Sequence, residues 1–321
     1  MEEPRDPMYQ RLVADGLEVL YEPLKKMELK PLSERFQLYG LWAVGGQSVL
    51  FRVTDSTQPK LPLLARFGLL PYHRPAHLSQ QRIIHSRKGI EREAGILRRF
   101  GGPILPAFHE LIYSDNPLLS SEWGDLNQNE PFLIMELIGG ITLKEWINRS
   151  HFQEQSLPEV NEMLALSLAG TAVELIRQLT HAGYLYVDLN PANVRVIPEE
   201  DWKVRILDVG SIIPHEPDPA INIPYTSSYI PPEYYNAYQS GRQRWPDEKF
   251  VAYTLGVSLW QLLTNRQPFP AQTPDIEELN DKVCSIEMRE LITALLSGVY
   301  SDFARLRAVI DQMRLQIPKD E

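Results

Sequence analysis

The segment Asp188-Leu189-Asn190-Pro191-Ala192-Asn193, answered fifteen residues after its last asparagine by Asp208-Val209-Gly210, decides how this chain is read. It follows a long helical pattern, Val160 to His181, that Gly183 closes, and Asp208 ends a short β-rich run, Val204 to Leu207. Asp188 and Asn193 therefore fall on a loop and Asp208 at a strand end, which directs three oxygen-bearing side chains toward one cleft. Such oxygens suit Mg²⁺, whose shell waters and nucleotide phosphates complete. A lone loop aspartate is more often a turn or cap residue. The combination at this spacing is far more specific.

Toward the N-terminus lie short β-rich runs, Phe36 to Val44, Val49 to Thr54 and Leu61 to Phe67, joined by Gly45-Gly46 and by a turn at Pro59-Lys60. An antiparallel sheet is the simplest reading. Ile90, Ala94 and Leu97 recur at helical intervals between Lys88 and Phe100, where Gly101-Gly102-Pro103 stops them. Two further apolar runs, Ile104 to Tyr113 and Pro131 to Ile138, flank a polar insert, Ser114 to Glu130, that reads as surface. Residues 8 to 29 carry Leu12, Val13, Leu17 and Leu20 at helical spacing, an amphipathic extension whose apolar face must dock somewhere. Beyond Gly139-Gly140 the pattern is mainly helical: Thr142 caps a short helix, and Phe250 to Leu263 is apolar nearly all round, as a central buried helix would be.

Composition narrows the class. The chain has 321 residues with a formal net charge of −10, and a pI near 5.3 argues against nucleic acid as a partner. One cysteine, Cys284, excludes an internal disulfide and a multi-thiolate zinc site, and fits a reducing, cytoplasmic compartment. The acidic start, Met1-Glu2-Glu3-Pro4, does not resemble an export signal, and the run from Phe250 to Leu263 is too short for a membrane span. Seven scattered histidines show no metal-ligand spacing.

Several segments, in order, resemble the eukaryotic-type Ser/Thr protein kinase family from Phe36 to Met313. Ala43-Val44-Gly45-Gly46-Gln47-Ser48-Val49-Leu50 is similar to the glycine-rich loop, Leu63-Leu64-Ala65-Arg66 to the strand with the phosphate-anchoring lysine, and Glu93 to its helix partner. Phe132-Leu133-Ile134-Met135-Glu136-Leu137 resembles the adenine-holding strand and hinge, with Met135 as gatekeeper. Tyr186-Val187-Asp188 stands where His-Arg-Asp belongs and Asp208-Val209-Gly210 where Asp-Phe-Gly belongs. Thr226 to Glu233 resembles the end of an activation segment, and Leu255-Gly256-Val257 continues the match. Small-molecule kinases of the aminoglycoside phosphotransferase type share the catalytic Asp, Asn and metal Asp but lack the Pro231-Pro232-Glu233 segment.

The resemblance implies a bilobal α+β fold: a small antiparallel β-sheet lobe with one main helix, and a larger helical lobe. The bounds read as an extension over 1–35, the small lobe and hinge over 36–138, the large lobe over 139–316 and a tail over 317–321. It implies ATP and Mg²⁺ as cofactors and a protein substrate or regulatory partner. Asp188 would take the substrate hydroxyl proton, Asn193 and Asp208 would hold metal, and Arg66 with Glu93 would complete the catalytic set. Gly45, Gly46, Ser48, Leu50, Leu64, Arg66, Met135, Glu136, Leu137 and Arg195 would line the nucleotide site, and Thr226 leans the acceptor toward Ser/Thr.

The departures from the pattern bear on activity. Arg66 replaces the anchoring lysine. Leu64 is a bulky adenine roof, and Arg195 a guanidinium floor that needs a partner. Val187 removes the arginine that would meet a phosphorylated activation segment, and Asn190 removes a cation where transition-state charge develops. Val251 stands where an Asp normally bonds the catalytic loop, with Asp247 one turn earlier as a replacement candidate. Glu233 is expected to pair with Arg305 or Arg307. A pseudokinase scaffold is the alternative to an active enzyme.

Overall fold

Phe36 and Leu38 are buried while Gln37 and Tyr39 face outward, the period-two pattern that makes Phe36–Val44 a one-sided strand, β1. In the computed structural model it opens a five-stranded antiparallel sheet with β2 (Ser48–Asp55), β3 (Leu63–Gly68), β4 (Phe108–Ser114) and β5 (Glu130–Glu136), in the order β1-β2-β3-β5-β4. The structure describes residues 31–44, 48–68, 76–116, 129–152, 158–200, 202–219, 221, 223–242, 244–299 and 302–316. They divide into two units, one of residues up to Gly102 with Pro106–Leu137, the other of Pro103–Leu105 with everything from Ile138 on. The expected helix at 8–29, Gly45-Gly46 and most of the 114–130 insert lie outside the described residues.

In the first unit Phe51, Phe67 and Phe132 stack through the sheet's buried face, with ring centroids 5.8 and 4.6 Å apart. Helix α1 (Ala76–Phe100) brings Ile90, Ala94 and Leu97 to the buried side of this unit. It begins at Ala76, twelve residues before the expected start at Lys88. No proline interrupts 76–100, and its two glycines, Gly89 and Gly95, are tolerated inside the helix. The run expected as one strand from Ile104 is divided: Ile104 and Leu105 belong to the second unit, where the Ile104 carbonyl accepts from Ile206 N–H at 2.9 Å. The flanks of the insert are not surface, since Asn116 and Glu130 are buried.

The second unit follows the sequence closely. A two-residue strand β6 (Ile141–Thr142) leads into α2 (Leu143–Phe152), where Thr142 and Glu145 cap one another: Glu145 N–H donates to Thr142 Oγ1 at 3.0 Å and Thr142 N–H to Glu145 Oε2 at 2.7 Å. Helix α3 (Pro158–His181) ends at Gly183, whose φ of +82° only glycine adopts at little cost. Strand β7 (Tyr184–Tyr186) pairs with β10 (Ile212–Pro214), and β8 (Val194–Ile197) with β9 (Lys203–Ile206) and β6. Helix α4 (Pro232–Gln239) precedes α5 (Glu248–Thr264), buried from Phe250 through Leu263, as its all-round apolar sequence requires. Helices α6 (Ile286–Leu296) and α7 (Phe303–Gln316) complete the unit. Among the described residues, no helix is long and apolar enough to cross a membrane.

One charged cluster ties the sheet edge together. The carboxylate of Asp55, the wholly buried end of β2, accepts from Arg35 Nε at 2.9 Å and Nη2 at 2.6 Å, and from Thr57 N–H at 2.8 Å. His109 Nε2 lies 2.9 Å from it. The Arg35 hydrogen bonds hold this carboxyl far below the ordinary range against the opposing effect of burial. The folded group therefore keeps its charge to lower pH than the unfolded one. It contributes stability above about pH 4 that is lost as pH falls further. Asp55→Asn should lower the thermal midpoint at pH 7 by about 5 °C or more and flatten the acid limb of stability, read by circular dichroism melts from pH 7 to 3. An unchanged acid limb would remove Asp55 from this role.

Candidate functional site

Strand β7 delivers the chain to Asp188 beside the turn that holds Asp208, because Tyr186 pairs with Ile212 and Val187 N–H donates to the Ser211 carbonyl at 3.0 Å. Pro191–Asn193 then forms one 3₁₀ turn with Asn190 as its cap, Oδ1 accepting from Ala192 N–H at 3.0 Å. That turn folds Asn193 back so that its Nδ2 donates to the Asp188 carbonyl at 2.9 Å and to Asp188 Oδ2 at 3.2 Å. The other carboxylate oxygen, Oδ1, accepts from Thr226 N–H at 2.8 Å. Leu207 N–H donates to the Asn193 carbonyl at 2.9 Å, which sets Asp208 next to Asn193 across the β8–β9 hairpin. Asp188, Asn193 and Asp208 are thus gathered within one unit.

Asp208 caps its own 3₁₀ turn: Oδ1 accepts from Gly210 N–H at 3.1 Å and Oδ2 from Ser211 Oγ at 2.6 Å. Each carboxylate oxygen can accept more than one bond, and Asn193, having turned Nδ2 to Asp188, offers Oδ1 as its remaining acceptor. The oxygen set fits Mg²⁺ completed by water and phosphate. Among the described residues no group of three or more His, Cys, Asp or Glu side chains makes a metal site of its own. Burial pushes the Asp188 carboxyl up, partly countered by hydrogen bonds from Thr226 and Asn190. The wholly buried Tyr186 hydroxyl has no hydrogen-bond partner among the described residues and is raised well above a tyrosine's usual range, by burial first and then by Asp208 and Asp188.

Two ties were not foreseen. Asn190 Nδ2 bridges the Asp188 carbonyl at 3.3 Å and Thr226 Oγ1 at 3.2 Å, so the amide that replaces a lysine fastens the loop to the Thr226 segment. Ser258, on α5, donates from Oγ to the Leu189 carbonyl at 2.8 Å. A serine buried within a mostly apolar helix needs a partner, and that was the available signal. Asp247 does not take over from Val251; it caps α5, accepting from Phe250 N–H at 2.9 Å. Nor does Glu233 pair with Arg305 or Arg307. Arg307 donates instead to the Gly170 carbonyl at 3.0 Å and to Asp311 at 2.9 Å. Arg195 has found a partner, the Gly140 carbonyl at 2.9 Å from Nη1.

The first unit carries its own part of the set. On β3, Arg66 sits between Leu50 of β2 and Leu133 of β5, and Leu64 lies opposite Met135. Arg66 Nη2 donates to Glu93 Oε1 at 3.1 Å, and Nε stands 2.9 Å from Oε2, an ion pair with Glu93 buried. Ser48, Leu64 and Met135 are buried. Glu136 exchanges backbone and side-chain bonds with Ala107, and Leu137 N–H is committed to the Pro62 carbonyl at 2.9 Å. Gly45 and Gly46 lie outside the described residues.

The family model described as the protein kinase domain matches residues 77–311. A probable serine/threonine-protein kinase of Streptomyces coelicolor is 26% identical over 148 residues, 46% of this chain and 20% of that protein. Sperm motility kinase 2A of Mus musculus is 26% identical over 208 residues, 61% of this chain and 38% of the relative. The serine/threonine-protein kinase PknB of Mycolicibacterium smegmatis is 22% identical over 248 residues, 76% of this chain and 34% of the relative. The chain spans less than two fifths of the length of each.

Because the folded Asp188 binds its proton more tightly than the unfolded residue, its contribution to stability is greatest below about pH 4 and falls as pH rises. The ionised carboxylate is a cost at neutral pH. Asp188→Asn should leave the thermal midpoint at pH 7 unchanged or a few degrees higher, with the gain closing on acidification. A large drop at pH 7 would contradict this sign.

Proposed function

The chain belongs to the protein kinase family, and we propose that it transfers the γ-phosphoryl group of ATP to Ser or Thr hydroxyls of a protein. The observation that carries the proposal is the Asp188 carboxylate held by Thr226 N–H and Asn193 Nδ2, with Asp208 beside Asn193. Phosphoryl transfer asks for positioning and charge neutralisation more than for covalent chemistry by the protein. Asp188 orients the acceptor hydroxyl and takes its proton as the oxygen bonds to the γ-phosphorus and the bond to ADP breaks. Its position between two fixed donors limits its rotation, and its raised basicity suits a proton acceptor.

Asn193 Oδ1 and the Asp208 carboxylate hold the metal, which neutralises phosphate charge when bound. Arg66 supplies a cation for the nucleotide phosphates while Glu93 fixes its fork. Asn190 provides no charge where a lysine would, since its amide is spent on Asp188 and Thr226, and turnover is correspondingly slow. Thr226, bonded both to Asp188 and to Asn190, supports the Ser/Thr lean.

A pseudokinase acting as a regulatory or scaffold protein is the second reading. It is favoured by Asp208, whose two oxygens already accept from Gly210 and Ser211, together with the bulk of Leu64 and the guanidinium of Arg195. Calorimetric titration with ATP, with and without Mg²⁺, separates the two. Phosphoryl transfer predicts metal-dependent binding that Asp208→Asn weakens at least tenfold, and transfer to a protein acceptor that Asp188→Asn abolishes with nucleotide binding kept. No binding at millimolar ATP would favour the scaffold.

A further inference from the structure

The mechanism uses Glu93 but leaves unexplained a second buried carboxylate of the same unit. Glu130, the first residue of β5, is fully buried, and its Oε2 accepts from Arg87 Nε at 2.9 Å. Its Oε1 accepts from Gly68 N–H at 3.3 Å, and Asn116, also buried, adds a side-chain hydrogen bond. Gly68 is a close-approach residue: a Cβ there would run into Ser86 Oγ and lie 3.0 Å from Glu130 Oε1. Helix α1 therefore comes down onto the end of β3 at Ser86 and Arg87.

Along α1, Ser86 and Glu93 are seven residues apart, two turns, and share one face. Along β3, Arg66 and Gly68 are two apart and share one face as well. The helix thus meets the strand at two points of one seam, Glu93 on Arg66 and Ser86–Arg87 on Gly68 and Glu130, with Ile90 buried between them. A single ion pair leaves a helix free to pivot about it. A second anchor two turns away fixes both its rotation and its slide.

We propose that Glu130 is a positioning residue, which by holding Arg87 and receiving Gly68 N–H locks helix α1 so that the Glu93 carboxylate meets the Arg66 guanidinium. Simple stabilisation is a poor account of it. Burial raises the Glu130 carboxyl more than Arg87 lowers it, so ionising the group in its folded setting costs more than ionising it in water. The proposal rests on the phosphoryl-transfer reading only for its kinetic readout.

The test compares full-length wild type, Glu130→Gln and Arg87→Met, with Arg87→Lys as the conservative rescue. Amide hydrogen exchange is followed over residues 86–97, with thermal midpoints and, where the wild type turns over, kcat and KM for ATP. Glu130→Gln, whose amide puts a donor against Arg87 Nε or Gly68 N–H, is expected to speed exchange over 90–97 at least tenfold relative to the rest of the unit and to lower kcat with KM little changed. Arg87→Met should do the same to exchange, and Arg87→Lys should restore most of it. A lower midpoint for Glu130→Gln with exchange over 90–97 unchanged would overturn the proposal, because the residue would then be structural only. A wild type that binds no ATP but shows the exchange pattern would sink the phosphoryl-transfer reading and leave the positioning role standing.

Discussion

A carboxylate removed from water has to be met by donors, and that requirement organises both units. Around Asp188 it dictates the local path of the chain: Asn193 must fold back through a 3₁₀ turn to reach one oxygen, and the Thr226 segment must pass close enough to give its N–H to the other. The turn in turn needs Asn190 as its cap, and the hairpin after it needs the Asn193 carbonyl. Remove the charge and each of these bonds loses its purpose. Asp55, Glu93 and Glu130 impose the same demand on the first unit, and Arg35, Arg66 and Arg87 answer it.

The departures of this chain from its family are therefore not simple losses. Where a lysine would place a cation, Asn190 places an amide that donates twice and accepts once, so the loop is tied down even as a positive charge disappears. Where Val251 gives up a carboxylate contact from the central helix, Ser258 two turns along gives one hydrogen bond to the Leu189 carbonyl. The loop is tied down here by neutral hydrogen bonds rather than by charge. That arrangement suits a slow enzyme, and equally a scaffold that keeps the shape of one.

The motif loop, the strands and the central helix were legible because each is fixed by near neighbours: alternation in Phe36–Val44, the mutual cap of Thr142 and Glu145, and the all-round apolar run in Glu248–Thr264. What was not legible depends on contacts across long stretches of sequence. Nothing near Glu130 announces Arg87, 43 residues earlier, and Arg195 finds the Gly140 carbonyl 55 residues back. The early start of α1 was missed for another reason. Its first turns, from Ala76, carry no capping or apolar-periodic signal in the sequence that would mark where it begins. Asp247, which the sequence offered only as a candidate for the contact Val251 cannot make, caps its own helix by accepting from Phe250 N–H.

The arginine at position 66 is the change with the largest consequence for chemistry. A lysine carries all its protons on one atom, so sharing them between a carboxylate and a phosphate confines both acceptors to one small shell. A guanidinium spreads its donors over three nitrogens in a plane, of which Glu93 engages Nε and Nη2. The direction in which the guanidinium points is set by the plane of this pair as well as by the side chain. Whatever anion this residue serves must come to that plane. The position of α1, which carries Glu93, therefore governs the aim of Arg66, and a second anchor for the helix has a chemical as well as a structural meaning.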